Sequence, residues 1–258
     1  MTDRIYDYFS AEGIRLFCYG LTDSTNKRAR EYCERADIAP DAPALFVARG
    51  QTEGRGRQGR SFFSPEDTGL YMTLLFEAPE NKDSFTRVTA LCAVAVAQGI
   101  KKVFGTDSRI KWVNDLYIDG RKIAGILAES FPKGEKRYIA VGVGVNISTA
   151  DFPAELEGLA GSLTEDCLEG EEMEPLRYAL AYEISKGLLG AFGGRENEYM
   201  DRYRELSCVI GKRISFTQNG DTRQGVATDI TQMGELCVKL DSGESVLLST
   251  GEISVRVV

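Results

Sequence analysis

The spacing of apolar positions changes several times along this chain, and each change marks an element. "GIRLFCYG" (13–20) reads as a strand, and "LTDSTN" after it as a loop. Lys27 to Arg35 suits a short helix with Ser24 or Thr25 as its cap. "ALFVAR" (44–49) is a short apolar strand that runs into a glycine- and arginine-rich loop, and "GLYMTLLFEA" (69–78) is another strand. From Ser84 the period lengthens. Phe85, Val88, Cys92, Ala95, Val96, Gly99, Ile100 and Val103 recur every three or four residues, which predicts a helix with one buried face. Asp119-Gly120 separates two apolar stretches and predicts a hairpin. "RYIAVGVGVNIS" is a buried strand ending at Asn146. Residues 176–192 are helical by period, with Pro175 suited to the helix start, and Gly193-Gly194 separates them from a shorter helix reaching about Leu206.

From Cys208 the texture becomes that of short strands with turn residues between them, a small all-β module that suits a barrel. The pattern therefore predicts an α/β domain over 1–206 followed by a β domain over 207–258.

Composition narrows the class. The chain has 258 residues, 43% of them hydrophobic, enough for a sizeable core. No apolar run approaches the roughly 18 residues a membrane span requires, and the N-terminus lacks a signal-peptide core, so we expect a cytoplasmic protein without a membrane partner. Six cysteines fall in no metal-binding spacing and read as reduced thiols. The net charge is −8, but residues 151–175 carry nine acids and no base, a run expected to be a solvated connection. The remaining body is near neutral, which argues against a nucleic-acid partner held by a broad basic face.

Against that background "GQTEGRGRQGRSFF" (50–63) stands out. Its glycines let backbone N–H groups approach a ligand, and Arg55, Arg57 and Arg60 offer forked donors for carboxylate or phosphate oxygens. By composition alone an exposed loop with solvated arginines also fits. The loop lacks GxxxxGK[ST], and no helix is expected directly after its GxGxxG string, so neither a Walker loop nor a dinucleotide fold is indicated. A second group is Lys111, Trp112, Asn114, Asp115, Arg121 and Lys122; read alone, it fits better the wet face of a hairpin around a core tryptophan. A third is Ser24, Thr25 and Asn26 with Gln51, polar groups for a neutral ligand or a plain helix cap. The sequence has no histidine, which excludes Ser-His-Asp hydrolysis and histidine metal sites. Attack of a carboxylate on ATP needs no such base, because its nucleophile is already ionised and its barrier is one of alignment and charge.

Taken in order, "DSTN" (23–26), "GRGRQGR" (54–60), "KWVNDL" (111–116), "GRKIAGIL" (120–127), "GVGVN" (142–146) and the closing "GEISVRVV" resemble the bacterial biotin protein ligases. The resemblance runs from about residue 13 to the end. It implies a class II aminoacyl-tRNA synthetase/biotin ligase-like domain with a mixed sheet, followed by an SH3-like barrel. The implied substrates are biotin and ATP with Mg²⁺, and the implied partner is a biotin carboxyl carrier protein.

The resemblance also implies residue roles. Ser24, Thr25, Asn26, Gln51, Gly54, Arg55, Gly56, Arg57, Lys122, Gly125 and Gly142 would surround biotin. Arg55, Arg57, Arg60, Phe62, Asn114 and Asn146 would meet the nucleotide. Arg57, Lys122, Lys111 and Asp115 would act at the reacting centre, with Asp115 a candidate neighbour of Mg²⁺ or of the acceptor lysine. Two residues depart from the family pattern: Val113 replaces a common proline, and Phe62 replaces a common tryptophan while keeping an aromatic face for adenine. About 22 residues precede "DSTN", too few for the helix-turn-helix domain of some members, so operator binding is not expected. A monomer or a homodimer would fit. The rival readings are a lipoate or octanoate ligase and a non-catalytic biotin-binding regulator of the same fold.

Overall fold

The computed structural model describes all residues except Met1, 36–41, 80–84, Cys167, Glu169, 219–220, 250–253 and Val258; the predicted helix start at Ser84 and the Cys167 thiol lie outside the described residues. The first element, helix α1 (Thr2–Ala11), is one the apolar spacing does not predict. Its Phe9 is 1% exposed, with its ring edge-on to Tyr182 at 5.7 Å. Then follow β1 (Arg15–Thr22), α2 (Thr25–Glu34), β2 (Ala44–Gln51), β3 (Gly69–Glu77) and α3 (Phe85–Phe104). Four strands complete the large sheet: β4 (Arg109–Lys111), β5 (Asp115–Ile118), β6 (Arg121–Lys133) and β7 (Lys136–Asn146).

The seven strands lie in the order β1-β2-β3-β7-β6-β5-β4, with β1 parallel to β2 and the other neighbours antiparallel. Both faces are covered, which explains why "GLYMTLLFE" reads as an almost continuous apolar run. Leu70, Met72, Leu74 and Phe76 of β3 join the main core with α3, whereas Leu75 joins a smaller core with Ala29, Tyr32 and Cys33 of α2. The predicted hairpin is present: Asp119 and Gly120 adopt φ of 49° and 78°, the pair of left-handed residues a two-residue hairpin turn requires.

The acidic run is only partly a connection. It contains a 3₁₀ turn at Ala154–Leu156, and its end begins helix α4 (Gly170–Ala191). Pro175 therefore lies inside the helix rather than at its start, a correction to the sequence expectation. Acids early in a helix interact favourably with its positive end, which lets the segment be helical despite its charge. Gly194, at φ 99°, separates α4 from α5 (Glu196–Leu206) as predicted.

The final strands are β8 (Arg213–Gln218), β9 (Asp221–Ile230), β10 (Leu236–Leu240), β11 (Ser245–Leu248) and β12 (Ser254–Val257). They form an antiparallel sheet, β11-β10-β9-β8-β12, in which the last strand returns beside the first, the order of an SH3-like barrel. The described cysteines are unpaired, and no helix among the described residues is long and apolar enough to cross a membrane.

Candidate active site

The loop between β2 and β3 is folded back on itself. Phe62 N donates to Gly54 O at 2.9 Å, Gly56 N donates to Arg60 O at 2.7 Å, and Arg55 bridges to Ser61. A 3₁₀ turn at Arg57–Gly59 forms its tip, with Gln58 and Gly59 at φ of 57° and 72°. A Cβ at Gly54 would lie 2.3 Å from Phe62 O and 2.6 Å from Ser64 Oγ, so only glycine allows this close return.

Beside the loop, the start of α2 is held from outside the helix. Ser24 is its N-cap but makes no side-chain capping bond; Thr25 N donates instead to Gln51 Oε1 at 2.8 Å, and Ser24 N to Asp23 Oδ1 at 2.6 Å. Buried Asn26 donates through Nδ2 to Glu129 Oε2 at 2.8 Å, and its Oδ1 accepts from the Thr73 hydroxyl at 2.7 Å. Glu129 also lies 3.9 Å from Arg55, so one carboxylate touches both the α2 motif and the loop. The sequence reading missed Glu129 and Thr73. Thr73 is a polar residue inside the apolar run of β3, and that signal could have found it, whereas Glu129 sits beside Ser130 in a strand of mixed polarity that gives no such signal.

The turn between β4 and β5 supplies the next wall. Asn114 exchanges hydrogen bonds with the Ile126 backbone at 3.0 and 3.1 Å, and Arg57 donates to Asn114 Oδ1 at 3.3 Å. The Lys122 ammonium lies 2.6 Å from Asp115 Oδ1, an ion pair by distance whose direction does not make a hydrogen bond. Lys111 sits 5.5 Å from the Tyr117 ring centroid, and burial pushes the Tyr117 phenol up to about 12. Burial pulls the Arg57 guanidinium below its ordinary value, opposed chiefly by the nearby Asp115 carboxylate. The Trp112–Val113 peptide is cis.

These walls enclose a cavity of about 570 Å³. Ser24, Thr25, Asn26, Gln51, Arg55, Gly56, Arg57, Arg60, Phe62, Lys111, Asn114, Asp115, Lys122, Gly125 and Gly142 all line it. Two predicted site residues do not. Gly54 lies beneath the loop it closes, and Asn146 stands behind the wall, its Nδ2 donating to Gly161 O at 3.0 Å. Leu156, Leu159 and Ala160 form an apolar rim that the sequence reading missed, because the segment is read there as part of a solvated acidic run. Backbone bonds between Lys122 and both Leu159 and Gly161 fix that rim. The floor is glycine: a Cβ at Gly142 would lie 2.0 Å from Asn26 Oδ1, and one at Gly144 2.5 Å from the Phe62 ring. Phe62 therefore covers the floor of β6 and β7.

Five cationic side chains and one carboxylate line the cavity of a chain with net charge −8, so the site is built for an anion. Among the described residues no cluster of acids or cysteines could hold a metal ion.

Residues 20–146 match the Biotin/lipoate A/B protein ligase family and residues 209–256 the Biotin protein ligase C terminal domain. The Biotin--[acetyl-CoA-carboxylase] ligase of Paracoccus denitrificans is 34% identical, over 88% of this chain and 95% of its own. The chain belongs to the biotin protein ligase family. The Bifunctional ligase/repressor BirA of Bacillus spizizenii is 36% identical over 90% of this chain and 71% of its own. Among solved structures, the family's fold recurs in the biotin protein ligase from Aquifex aeolicus in complex with biotin and ATP, with a TM-score of 0.78 over 95% of this chain and 99% of that one, at 22% identity.

Proposed function

We infer that the protein is a biotin protein ligase, joining biotin to AMP and then to one lysine of a biotin carboxyl carrier protein. The observation that supports this most is the convergence of three separate motifs, the α2 start, the glycine–arginine loop and the β4–β5 turn, on one cationic cavity.

In the first step an oxygen of the biotin carboxylate attacks the α-phosphorus of ATP. The bond to pyrophosphate breaks and biotinyl-5′-AMP forms. Both reactants are anions, so catalysis consists of alignment and charge neutralisation. Arg55, Arg57 and Lys122 would meet carboxylate and phosphate oxygens. Arg60, Phe62 and Asn114 would contact the nucleotide, with the Leu156–Ala160 rim as an apolar surface for the base. Ser24, Thr25, Asn26 and Gln51 would face the ureido ring; Gly142 would serve it by leaving room for Asn26, and Gly125 by leaving room for Lys122 and the Phe62 ring. Gly54 and Asn146 would act indirectly, through the loop return and the rim. Mg²⁺ would come with the triphosphate, whose oxygens would supply most of its ligands, since the carboxylate in the lining, Asp115, already faces Lys122.

In the second step the lysine amine attacks the acyl carbon. A C–N bond forms, the C–O bond to AMP breaks, and the amine's proton passes to the departing phosphate or to solvent. Movement of Lys122 onto a phosphate would release Asp115 to orient that amine, with Lys111 nearby. The closed loop would keep water from the mixed anhydride.

The test is incubation with ATP, Mg²⁺ and either biotin or lipoate. Biotin-dependent pyrophosphate release and labelling of a carrier domain are expected. Activation of lipoate in preference to biotin would overturn the substrate, and tight biotin binding without adenylate would reduce the protein to a binding module.

A further inference from the structure

The loop's neck, where the chain leaves β2 and returns to β3, is tied by charges that the cavity does not contain. Asp67 N donates to Arg49 O at 2.9 Å. The Arg49 guanidinium grips the Asp67 carboxylate with two nitrogens, Nε to Oδ1 at 2.8 Å and Nη2 to Oδ2. Arg177 of α4, 2% exposed, reaches the same carboxylate through Nη2 at 3.1 Å and donates through Nε to Gly69 O at 2.9 Å. Asp67 itself adopts φ 62°, a left-handed conformation that a non-glycine residue holds only when its surroundings fix it. The two arms are in contact at this point, since a Cβ at Gly50 would lie 3.1 Å from the Glu66 Cα. Tyr71 Oη donates to Pro65 O at 3.0 Å and steadies the returning arm.

Resting on the ligase reading, we propose that Arg49, Asp67 and Arg177 form a clasp that confines opening to the loop between Gln51 and Ser64, and that the clasp, without touching substrate, sets how long biotinyl-5′-AMP is retained. A buried guanidinium is expensive to desolvate unless it is paired, so Arg177 is committed to this carboxylate and carbonyl. That ties the returning arm to a core helix. With the neck closed, β2 stays paired with β1 through Gln51, whose N–H donates to Ser64 O at 3.0 Å, and only the loop between those two residues can swing. With the neck released, the arm from Ser64 to Thr68 joins the mobile segment and the adenylate is held by a longer, looser lid. The three residues are positioning residues.

The experiment uses Asp67→Asn, which tolerates the left-handed backbone, and the half-exposed Arg49→Met, with Arg49→Lys as the conservative variant. Enzyme is loaded with labelled biotin and ATP without carrier, then chased. Adenylate escape is expected to be 5-fold or more faster in Asp67→Asn and Arg49→Met and intermediate in Arg49→Lys. The single-turnover rate of adenylate formation should stay within 2-fold of wild type. Equal escape rates would overturn the clasp, as would adenylation and retention falling together with the melting temperature. Wild-type protein that forms no adenylate would instead overturn the ligase reading, and the two failures are therefore distinct.

Discussion

The glycine floor offers the sharpest test of the site. In Gly142→Ala the new methyl carbon would start 2.0 Å from Asn26 Oδ1 and 2.9 Å from Asn26 Cγ. Ordinary contact begins near 3.4 Å, so Asn26 must retreat by more than an ångström. It cannot do so freely, because Oδ1 accepts from Thr73 at 2.7 Å and Nδ2 donates to Glu129 at 2.8 Å. Relief therefore breaks the buried bond from Thr73 or the part-buried bond to the Glu129 carboxylate. Breaking it costs about 1–3 kcal/mol, in the range measured for overpacked interiors. Because Asn26 and Thr25 share the Thr73 hydroxyl, the displacement passes into the wall assigned to biotin. Biotin affinity should fall by roughly 5- to 100-fold, since each 1.4 kcal/mol is about tenfold. Calorimetric titration with biotin, alongside thermal unfolding, measures both effects. The control is Gly190→Ala in α4, where a Cβ meets nothing within 4 Å and helix propensity predicts a gain of about 0.5–1 kcal/mol. Wild-type biotin affinity in Gly142→Ala would refute both the steric argument and the placement of biotin against Asn26.

Three further outcomes follow from the geometry. Lys122→Ala should slow the first step about 10²-fold, the loss expected for a transition-state donor, while biotin affinity changes less; quenched-flow detection of pyrophosphate reads this. Tyr203 is fully buried and donates to Val113 O at 3.1 Å. Tyr203→Phe should therefore cost about 1–3 kcal/mol, and an unchanged melting temperature would contradict it. Asp67 has its carboxyl pKa lowered first by Arg49, then by Arg177, against the cost of burial. A depressed folded-state value stabilises the protein above the unfolded value of about 4 and is lost as pH falls through the folded one. The stability difference between wild type and Asp67→Asn should thus be largest near neutrality and shrink in acid, and a difference that stays constant down to about pH 3 would rule this out.

Much of this architecture was legible because local chemistry and global fold agree at the places that mattered. Asp119-Gly120 specifies its turn by backbone conformation, and the α3 stripe specifies its buried face by period. Pattern failed where the deciding interaction is distant in sequence. Helix α1 is held by Phe9 against Tyr182, far along the chain, and α4 extends through its acids and past Pro175. The cavity was legible for a different reason: the loop's arginines conflict with an otherwise acidic or neutral chain, and that conflict pointed to a ligand. Thr73 and Arg177 conflict with their surroundings as well, each a polar group buried among apolar positions, and Glu129 is a partly buried carboxylate. Their partners, Asn26, Arg55 and Asp67, lie roughly 50 to 110 residues away, so spacing could not reveal them. These long-range polar contacts share one physical task. A loop carrying three arginines docks one apolar ring, Phe62, on the glycine floor, and the rest of its position comes from charges and hydrogen bonds supplied by the sheet at Glu129 and by α4 at Arg177. Such contacts weaken with salt where they are exposed and persist where they are buried. Raising ionic strength should therefore loosen the half-exposed Arg55–Glu129 contact on the loop before it loosens the buried Arg177 anchor at the neck.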